Sequence, residues 1–237
     1  MVTKKIEFKI NNCLVELANI FKQNNASLYI VGGFVRDYLI GKNPSDIDIC
    51  CNLKIEEVEK ILYGTKFNFV AKNKKFGTAQ ISCKNYTFEY TCFRSEQYDK
   101  TGSHSPKKVE FISSITQDAL RRDFYVNALY YDILNCEVLD PLNLGLTQLE
   151  NKIVCVIKHN PHKFLEDATR ILRLFKFAVK LDFQIDENSL RSAKKYAPLL
   201  NNISKDRIEK ELLFLSGCSE EEKQKYYSFL TLASINL

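Results

Sequence analysis

Leu28 to Cys51, LYIVGGFVRDYLIGKNPSDIDICC, constrains this chain more than any other stretch. Leu28 to Val31 is a short apolar run rich in β-formers and predicts a buried strand. Gly32-Gly33 follows at once, and Phe34 to Ile40 has helical spacing with Gly41 placed as its stop. A strand, two glycines and a helix start make a natural anion site. Glycine lets the backbone approach a phosphate, and the first helical N–H groups point at it. Asp46-Ile47-Asp48-Ile49 then alternates charged and apolar residues. On a strand, Asp46 and Asp48 share one face while Ile47 and Ile49 enter the core. Two neighbouring carboxylates repel unless cations sit between them, and such a pair suits Mg²⁺ beside a polyphosphate.

At 237 residues with 45% hydrophobic content, the chain is one large domain or two small ones with a sizeable core. It holds no apolar run of about 18 residues, so no membrane-spanning helix is expected. The start, MVTKKIEFKINN, lacks an apolar signal segment. A net charge of +5 is compatible with a polyanionic partner without singling one out. The eight cysteines include no CxxC pair and mostly lie in apolar runs, which predicts buried free thiols and a reducing, cytoplasmic setting. His159 and His162 have no second ligand pair nearby, so no zinc site is expected.

Apolar spacing predicts helices over Lys5 to Gln23 and Ile55 to Tyr63. Strands are predicted at Phe67 to Ala71, Thr78 to Cys83, Tyr86 to Phe93 and Lys108 to Ile112, with a tight turn at Lys84-Asn85. This is a mixed sheet flanked by helices, α+β or α/β. Glu89 is a lone acid within its strand, either on the wet face of the sheet or a third carboxylate beside Asp46 and Asp48. The polar stretch Ser95 to Lys107 reads as a loop. Arg121-Arg122-Asp123 precedes a helical pattern of Phe124, Ala128, Leu129 and Tyr131, with Asn127 one turn past Asp123 on the same face. Arg122 offers a forked donor suited to phosphate-type oxygens, and Asp123 a hydrogen-bond acceptor.

Asp140 to Gly145 is a turn, and a strand at Ile153 to Ile157 ends the first domain. The boundary is placed between residues 157 and 158, with residues 158–237 helical. From Pro161, Ile171, Leu174, Phe175, Ala178 and Leu181 form a core stripe, while Asp167 and Arg170 can project from the helix start. On spacing alone they are a surface ion pair worth about 0.3–0.5 kcal/mol. Short helices follow at Asp186 to Tyr196, Lys205 to Ser216 and Ser219 to Leu232.

Taken in order, GGFVRDYLIGKNPSDIDI, RRDFYVNA and EDATR resemble the polymerase-β-like nucleotidyltransferases. The closest likeness is to the class II branch of CCA-adding tRNA nucleotidyltransferases and bacterial poly(A) polymerases. The resemblance runs from about Leu28 to Leu215. It implies an α+β fold, with a nucleotidyltransferase head of mixed sheet and helices joined to an all-helical neck. It also implies transfer of CMP or AMP from CTP or ATP to the 3′ end of tRNA. Asp46 and Asp48, with Glu89, would be catalytic and hold Mg²⁺. Gly32, Gly33, Arg36, Arg122, Asp123 and Asn127 would bind nucleotide phosphate and ribose. Asp167, Arg170, Arg173 and Lys176 would meet the base. A carboxylate accepting from the exocyclic amine of C or A, beside a donating guanidinium, refuses U and G.

Four departures stand out. Tyr125 replaces a usual Thr, Lys176 replaces a usual Arg, and Ser103-His104 stands where an arginine is common. Little of the family's longer helical body and tail is present. CCA-, CC-, A- and poly(A)-adding activities all stay open, as does a non-catalytic RNA- or nucleotide-binding protein.

Overall fold

The computed structural model describes residues 1–44, 46–99, 101–102, 105–157 and 162–235. Two compact units emerge. One comprises Met1–Ser95, Val109–Arg122 and Val126–Leu146; the other comprises Glu96–Lys108, Asp123–Tyr125 and Thr147–Leu237. Compactness thus divides the chain into interleaved segments, where the sequence suggested one cut after residue 157.

The first unit is built on a sheet. Its elements are β1 (Val2–Lys5), α1 (Asn12–Gln23), β2 (Tyr29–Val31), α2 (Gly33–Leu39), β3 (Asp48–Cys51), α3 (Ile55–Leu62), β4 (Asn68–Asn73), β5 (Thr78–Cys83) and β6 (Tyr86–Cys92). β7 (Arg94–Gln97) and β8 (Lys108–Phe111) pair as a separate two-stranded ribbon. α4 (Ile115–Arg121), β9 (Tyr130–Asp132) and β10 (Glu137–Asp140) follow. The eight-stranded sheet has the order β1-β10-β9-β2-β3-β6-β5-β4. β3 and β6 run parallel, and the other neighbours are antiparallel. β2 and β3 therefore lie inside the sheet, and Ile30, Ile49, Cys50 and Cys51 are fully buried. Helix α1 buries Leu14, Leu17 and Phe21, and α3 buries Val58 and Leu62. The turn at Lys84-Asn85 closes β5 onto β6 with Cys83 opposite Tyr86 and Lys84 at φ 53°.

Two expectations for this unit change. The helix predicted from Lys5 starts only at Asn12, where the Asn11 Oδ1 accepts the Leu14 N–H at 2.9 Å. Ahead of it, Val2 to Lys5 pairs with β10 at the sheet edge. Phe8 is pulled under the sheet between Tyr38 and Tyr131, with ring centroids at 3.9 and 4.0 Å. The segment predicted as a helix after the Arg-Arg-Asp triplet forms no α-helix; α4 lies ahead of it and ends on Arg121. Phe124 to Tyr131 is buried at every position, Asn127 included at 8% exposure. A segment buried on all sides has no wet helical face, and it folds as a single 3₁₀ turn (Tyr125–Asn127) leading into β9. Asp123 and Asn127 therefore share no helix face.

The second unit is helical. It holds most of α5 (Gly145–Glu150), then β11 (Ile153–Val154), α6 (His162–Glu166), α7 (Thr169–Leu181), β12 (Gln184–Ile185), α8 (Glu187–Tyr196), α9 (Lys205–Leu212) and α10 (Glu220–Leu232). β11 pairs in parallel with β12, which draws the strand predicted at Ile153 to Ile157 into this unit and shortens it to two residues. The α7 stripe Ile171, Leu174, Phe175, Ala178 and Leu181 is buried as predicted.

The helix read as continuous from Pro161 breaks at Asp167-Ala168. Gly102 causes the break: its N–H donates to the Leu165 carbonyl at 2.6 Å, and its carbonyl accepts the Ala168 N–H at 3.2 Å. Gly102 sits at φ +76°, and a Cβ there would stand 3.1 Å from the Leu199 Cβ and 3.3 Å from the Ala168 Cβ. The stretch read as a plain loop thus begins as β7 and docks through Gly102. Ser103-His104 and residues 159–161 of the HNPH segment lie outside the described residues. All eight cysteines are free. Among the described residues, no helix is long and apolar enough to cross a membrane.

Candidate active site

In the sheet unit the backbone turns sharply between β2 and α2. Gly32 caps α2 at φ 77°, ψ −129°, a conformation that side chains disfavour. A Cβ on Gly32 would lie 3.8 Å from Arg122 Nη1 and 4.0 Å from Asp48 Oδ2; one on Gly33 would lie 3.6 Å from Arg36 Nη2. The glycine pair, one carboxylate of the Asp-x-Asp and the second arginine of the Arg-Arg-Asp therefore meet at one place.

Asp48 opens β3, and Ile49 to Cys51 anchor that strand in the core. Asp46 lies just ahead of the strand rather than within it. Pairing still reaches back to Ile47, whose carbonyl accepts the Glu89 N–H at 3.1 Å. The predicted alternation holds: Asp46 and Asp48 are exposed, Ile47 is half-buried and Ile49 is buried. Glu89, also exposed, stands in register with Asp48 on β6. Partial loss of hydration raises the Asp48 carboxyl above its ordinary range. Arg122 opposes that rise, while Asp46 and Glu89 add to it. This is an acidic group short of positive charge.

Among the described residues, no three His, Cys, Asp or Glu side chains are gathered into a finished metal cage. The hard oxygen donors of Asp46, Asp48 and Glu89 nevertheless fit a divalent ion that takes one or two carboxylates and fills its other positions with water and phosphate.

The two predicted nucleotide-binding arginines of this unit are already partnered. Arg36, mostly buried, forks onto Asp37 at 2.8 and 2.9 Å and donates to Asn127 Oδ1 at 2.5 Å. Arg122 donates through Nε to the Tyr130 hydroxyl at 3.0 Å and through Nη2 to Asp118 Oδ2 at 3.1 Å. Its Nη1 is the nitrogen on the Gly32 side. Asp118 and Tyr130 were not singled out by sequence reading. The spacing held a clue for Asp118, which stands three and four residues before two arginines on one helix face.

The helical unit carries a second set, tightly paired within itself. Asp123 Oδ2 accepts from Arg173 Nε at 2.9 Å and Nη2 at 2.5 Å, and Oδ1 accepts the Phe124 N–H. The Asp123 carboxylate beside it raises the Arg173 guanidinium's pKa. Asp167 lies in the break before α7, where its Oδ1 accepts from the Thr169 N–H at 2.9 Å and hydroxyl at 2.6 Å. Its Oδ2 is 3.9 Å from Arg207 Nη2. Arg170 is buried and donates to Glu166 Oε2 at 2.6 Å and the Lys163 carbonyl at 3.2 Å, with its guanidinium 5.8 Å from the Tyr98 ring centre. It folds back across the break onto α6 instead of projecting from the helix start. Lys176 sits 3.7 Å from Glu211 and over the Phe214 ring.

The chain is similar to known proteins. Residues 28–155 match the family model described as the poly A polymerase head domain. Residues 182–220 match one described as a probable RNA and SrmB-binding site of polymerase A. The CCA-adding enzyme of Streptococcus sanguinis is 38% identical over 180 residues, covering 76% of this chain and 43% of that protein. That of Enterococcus faecalis is 35% identical over 208 residues, covering 86% and 49%. The crystal structure of the Bacillus stearothermophilus CCA-adding enzyme in complex with CTP is similar at a TM-score of 0.73 and 29% identity, over 84% of this chain and 46% of that one. The chain spans less than half the length of these relatives. Since the head-domain match takes in more than half of the chain, including the glycine turn, the paired acids and Arg122, the chain belongs to the family of CCA-adding and poly(A)-polymerase enzymes, which are metal-dependent nucleotidyltransferases.

Proposed function

We propose that this chain adds CMP and AMP, from CTP and ATP, to the 3′ end of tRNA, building or repairing its CCA terminus. The observation that carries this reading is the meeting of Gly32, Asp48 Oδ2 and Arg122 Nη1 in the sheet unit. Curated relatives named as CCA-adding enzymes favour it over poly(A) addition.

In the reaction, the 3′-oxygen of the RNA bonds to the α-phosphorus of the nucleotide. The bond to pyrophosphate breaks, and the hydroxyl proton passes to water. Gly32 and Gly33, having no Cβ, let the triphosphate approach the backbone. Arg122 Nη1 donates to its oxygens, and Arg36 joins after exchanging Asp37 or Asn127 for phosphate. Asp46 and Asp48, with Glu89 beside them, would hold Mg²⁺, which when bound supplies charge neutralisation at the phosphates and a more acidic 3′-hydroxyl.

The helical unit has its own roles. Asp123 accepts from the ribose, and Asn127 of the sheet unit contributes to nucleotide binding. Asp167 accepts from the exocyclic amine of C or A, while Arg170 and Arg173 donate to ring acceptors, with Lys176 adding charge. The functional head is taken to run through residue 157, with the neck from 158. The protein would act in the cytoplasm without zinc.

The deciding assay supplies the protein, Mg²⁺ and labelled CTP or ATP with tRNAs ending before CCA, tRNAs ending after CC, or an unrelated RNA. Defined CCA ends on tRNA are expected. Long A tails, a single C or A type only, or no incorporation would each overturn the assignment in favour of a poly(A)-adding, partial or non-catalytic protein.

A further inference from the structure

The strongest feature that the proposed reaction leaves unused is a buried acid beneath Arg122. Asp118, on the inner face of α4, is fully buried. Both of its oxygens are taken. Oδ1 accepts from Arg121 Nε at 2.8 Å and from the Arg94 N–H at 3.2 Å. Oδ2 accepts from the Tyr130 hydroxyl at 2.6 Å and from Arg122 Nη2 at 3.1 Å. The Tyr130 hydroxyl also accepts from Arg122 Nε at 3.0 Å, and the guanidinium carbon lies 5.1 Å from the tyrosine ring centre. Asp118, Tyr130 and Arg122 therefore close a triangle of hydrogen bonds around two of the three guanidinium nitrogens. An arginine held at two nitrogens has its plane fixed, and the third nitrogen can point only one way. That nitrogen is Nη1, on the side of Gly32 and Asp48.

We propose that Asp118 and Tyr130 are positioning residues that clamp Arg122 so that Nη1 is presented to the nucleotide triphosphate. The proposal rests on the triphosphate role given above to Arg122. Neither Asp118 nor Tyr130 touches the substrate; they act by removing the rotamer freedom that a loose arginine would lose on binding. Burial works against ionisation of Asp118, but Arg121, Arg122 and the Tyr130 hydroxyl outweigh it and hold the carboxyl at about 2. The clamp thus stays charged throughout the working pH range. A solely structural role is the competing account, since Asp118 also ties α4 to the start of β7 through the Arg94 N–H.

A double-mutant cycle on nucleotide affinity separates the two. Dissociation constants for CTP and ATP with Mg²⁺ are measured for wild type, Asp118→Asn, Tyr130→Phe, Arg122→Ala and the two doubles with Arg122→Ala. Asp118→Asn is expected to weaken binding about ten- to a hundredfold and Tyr130→Phe about three- to tenfold, as befits lost hydrogen bonds to a charged group. In the Arg122→Ala background each should cost less than about twofold, because there is nothing left to position. Asp118→Asn leaves two half-buried arginines without their counter-charge and can fail to fold; Tyr130→Phe, nearly isosteric, then carries the cycle alone.

In parallel, arginine side-chain NMR follows the Arg122 Nε–H. A sharp, slowly exchanging resonance is expected in wild type, broadened or lost in Tyr130→Phe. Losses that add fully in the Arg122→Ala background overturn the clamp, as does an unchanged resonance in the variants. A wild-type chain that binds neither nucleotide overturns the function proposed above, and the resonance then decides the clamp independently.

Discussion

The two units treat their candidate-site acids in opposite ways. In the sheet unit, Asp46, Asp48 and Glu89 stand exposed on neighbouring extended segments, and Asp48 is pushed toward protonation by lost hydration and by its acidic neighbours. In the helical unit, Asp123 is forked by Arg173, Asp167 is held by Thr169 and faces Arg207, and Arg170 is held by Glu166. The first set is a charge imbalance that a cation relieves. The second is already balanced, and any base it recognises must displace an internal partner. The contrast separates a site built to attract ions from one built to discriminate, because recognition by exchange rejects a ligand that cannot replace the bonds it breaks.

The comparison breaks most sharply on the acids themselves. Asp46→Ala and Asp48→Asn should each lower nucleotide incorporation by about 10³-fold or more, as expected for loss of a metal ligand at the transferring phosphate. Asp48→Asn should not lower the melting temperature at neutral pH, and should raise it. A carboxyl whose folded pKa lies above its unfolded value loses stabilisation as pH rises, so removing its charge removes that loss. Calorimetry at pH 7 alongside the incorporation assay checks both halves.

On the helical side, Arg170→Ala should cut discrimination of CTP and ATP against UTP and GTP by about 10- to 100-fold, the scale of one lost bidentate base contact. Glu166→Gln, which loosens the partner of Arg170, should move nucleotide affinity less than Arg170→Ala and in the opposite direction. Competition among the four nucleotides reads out both variants.

A third test uses acid. Asp118 falls from an ordinary 3.8 to about 2, so its pairing contributes about 2 kcal/mol that is present above pH 4 and lost as pH falls toward 2. The stability gap between wild type and Asp118→Asn should shrink across that window in denaturant titrations. The smallest expected effect is at Gly102. Gly102→Ala puts a side chain at φ +76° against Leu199 and Ala168 and should cost about 1 kcal/mol, with earlier proteolytic cleavage near residues 95–107.

What could be read from the sequence were the features whose cause is local. The alternation through Asp46 to Ile49, the glycine pair after an apolar strand, the Lys84-Asn85 hairpin and the α7 stripe follow from nearest-neighbour geometry, and all form. What could not be read depended on distant chain. Lys5 to Asn11 leaves its helical pattern because β10 and two aromatic rings claim it. The break before α7 comes from a backbone segment more than sixty residues earlier, and no helical periodicity encodes a carbonyl taken by Gly102. Asp123 and Asn127 part because the residues around them are buried on every side. At the candidate site the types of residue were legible, while their present partners were not. That Arg36 sits on Asp37 and Asn127, or Arg170 on Glu166, is decided by packing.

In the proposed reaction, exposed acids of the sheet unit take up a divalent ion with the triphosphate. The most direct measurement is the melting temperature of wild type and Asp48→Asn against Mg²⁺ concentration, with and without CTP. Mg²⁺ with CTP should stabilise the wild type progressively, following the mass action of a ligand that binds the folded state. Asp48→Asn should show little of that rise. Equal stabilisation of the two proteins would contradict the account.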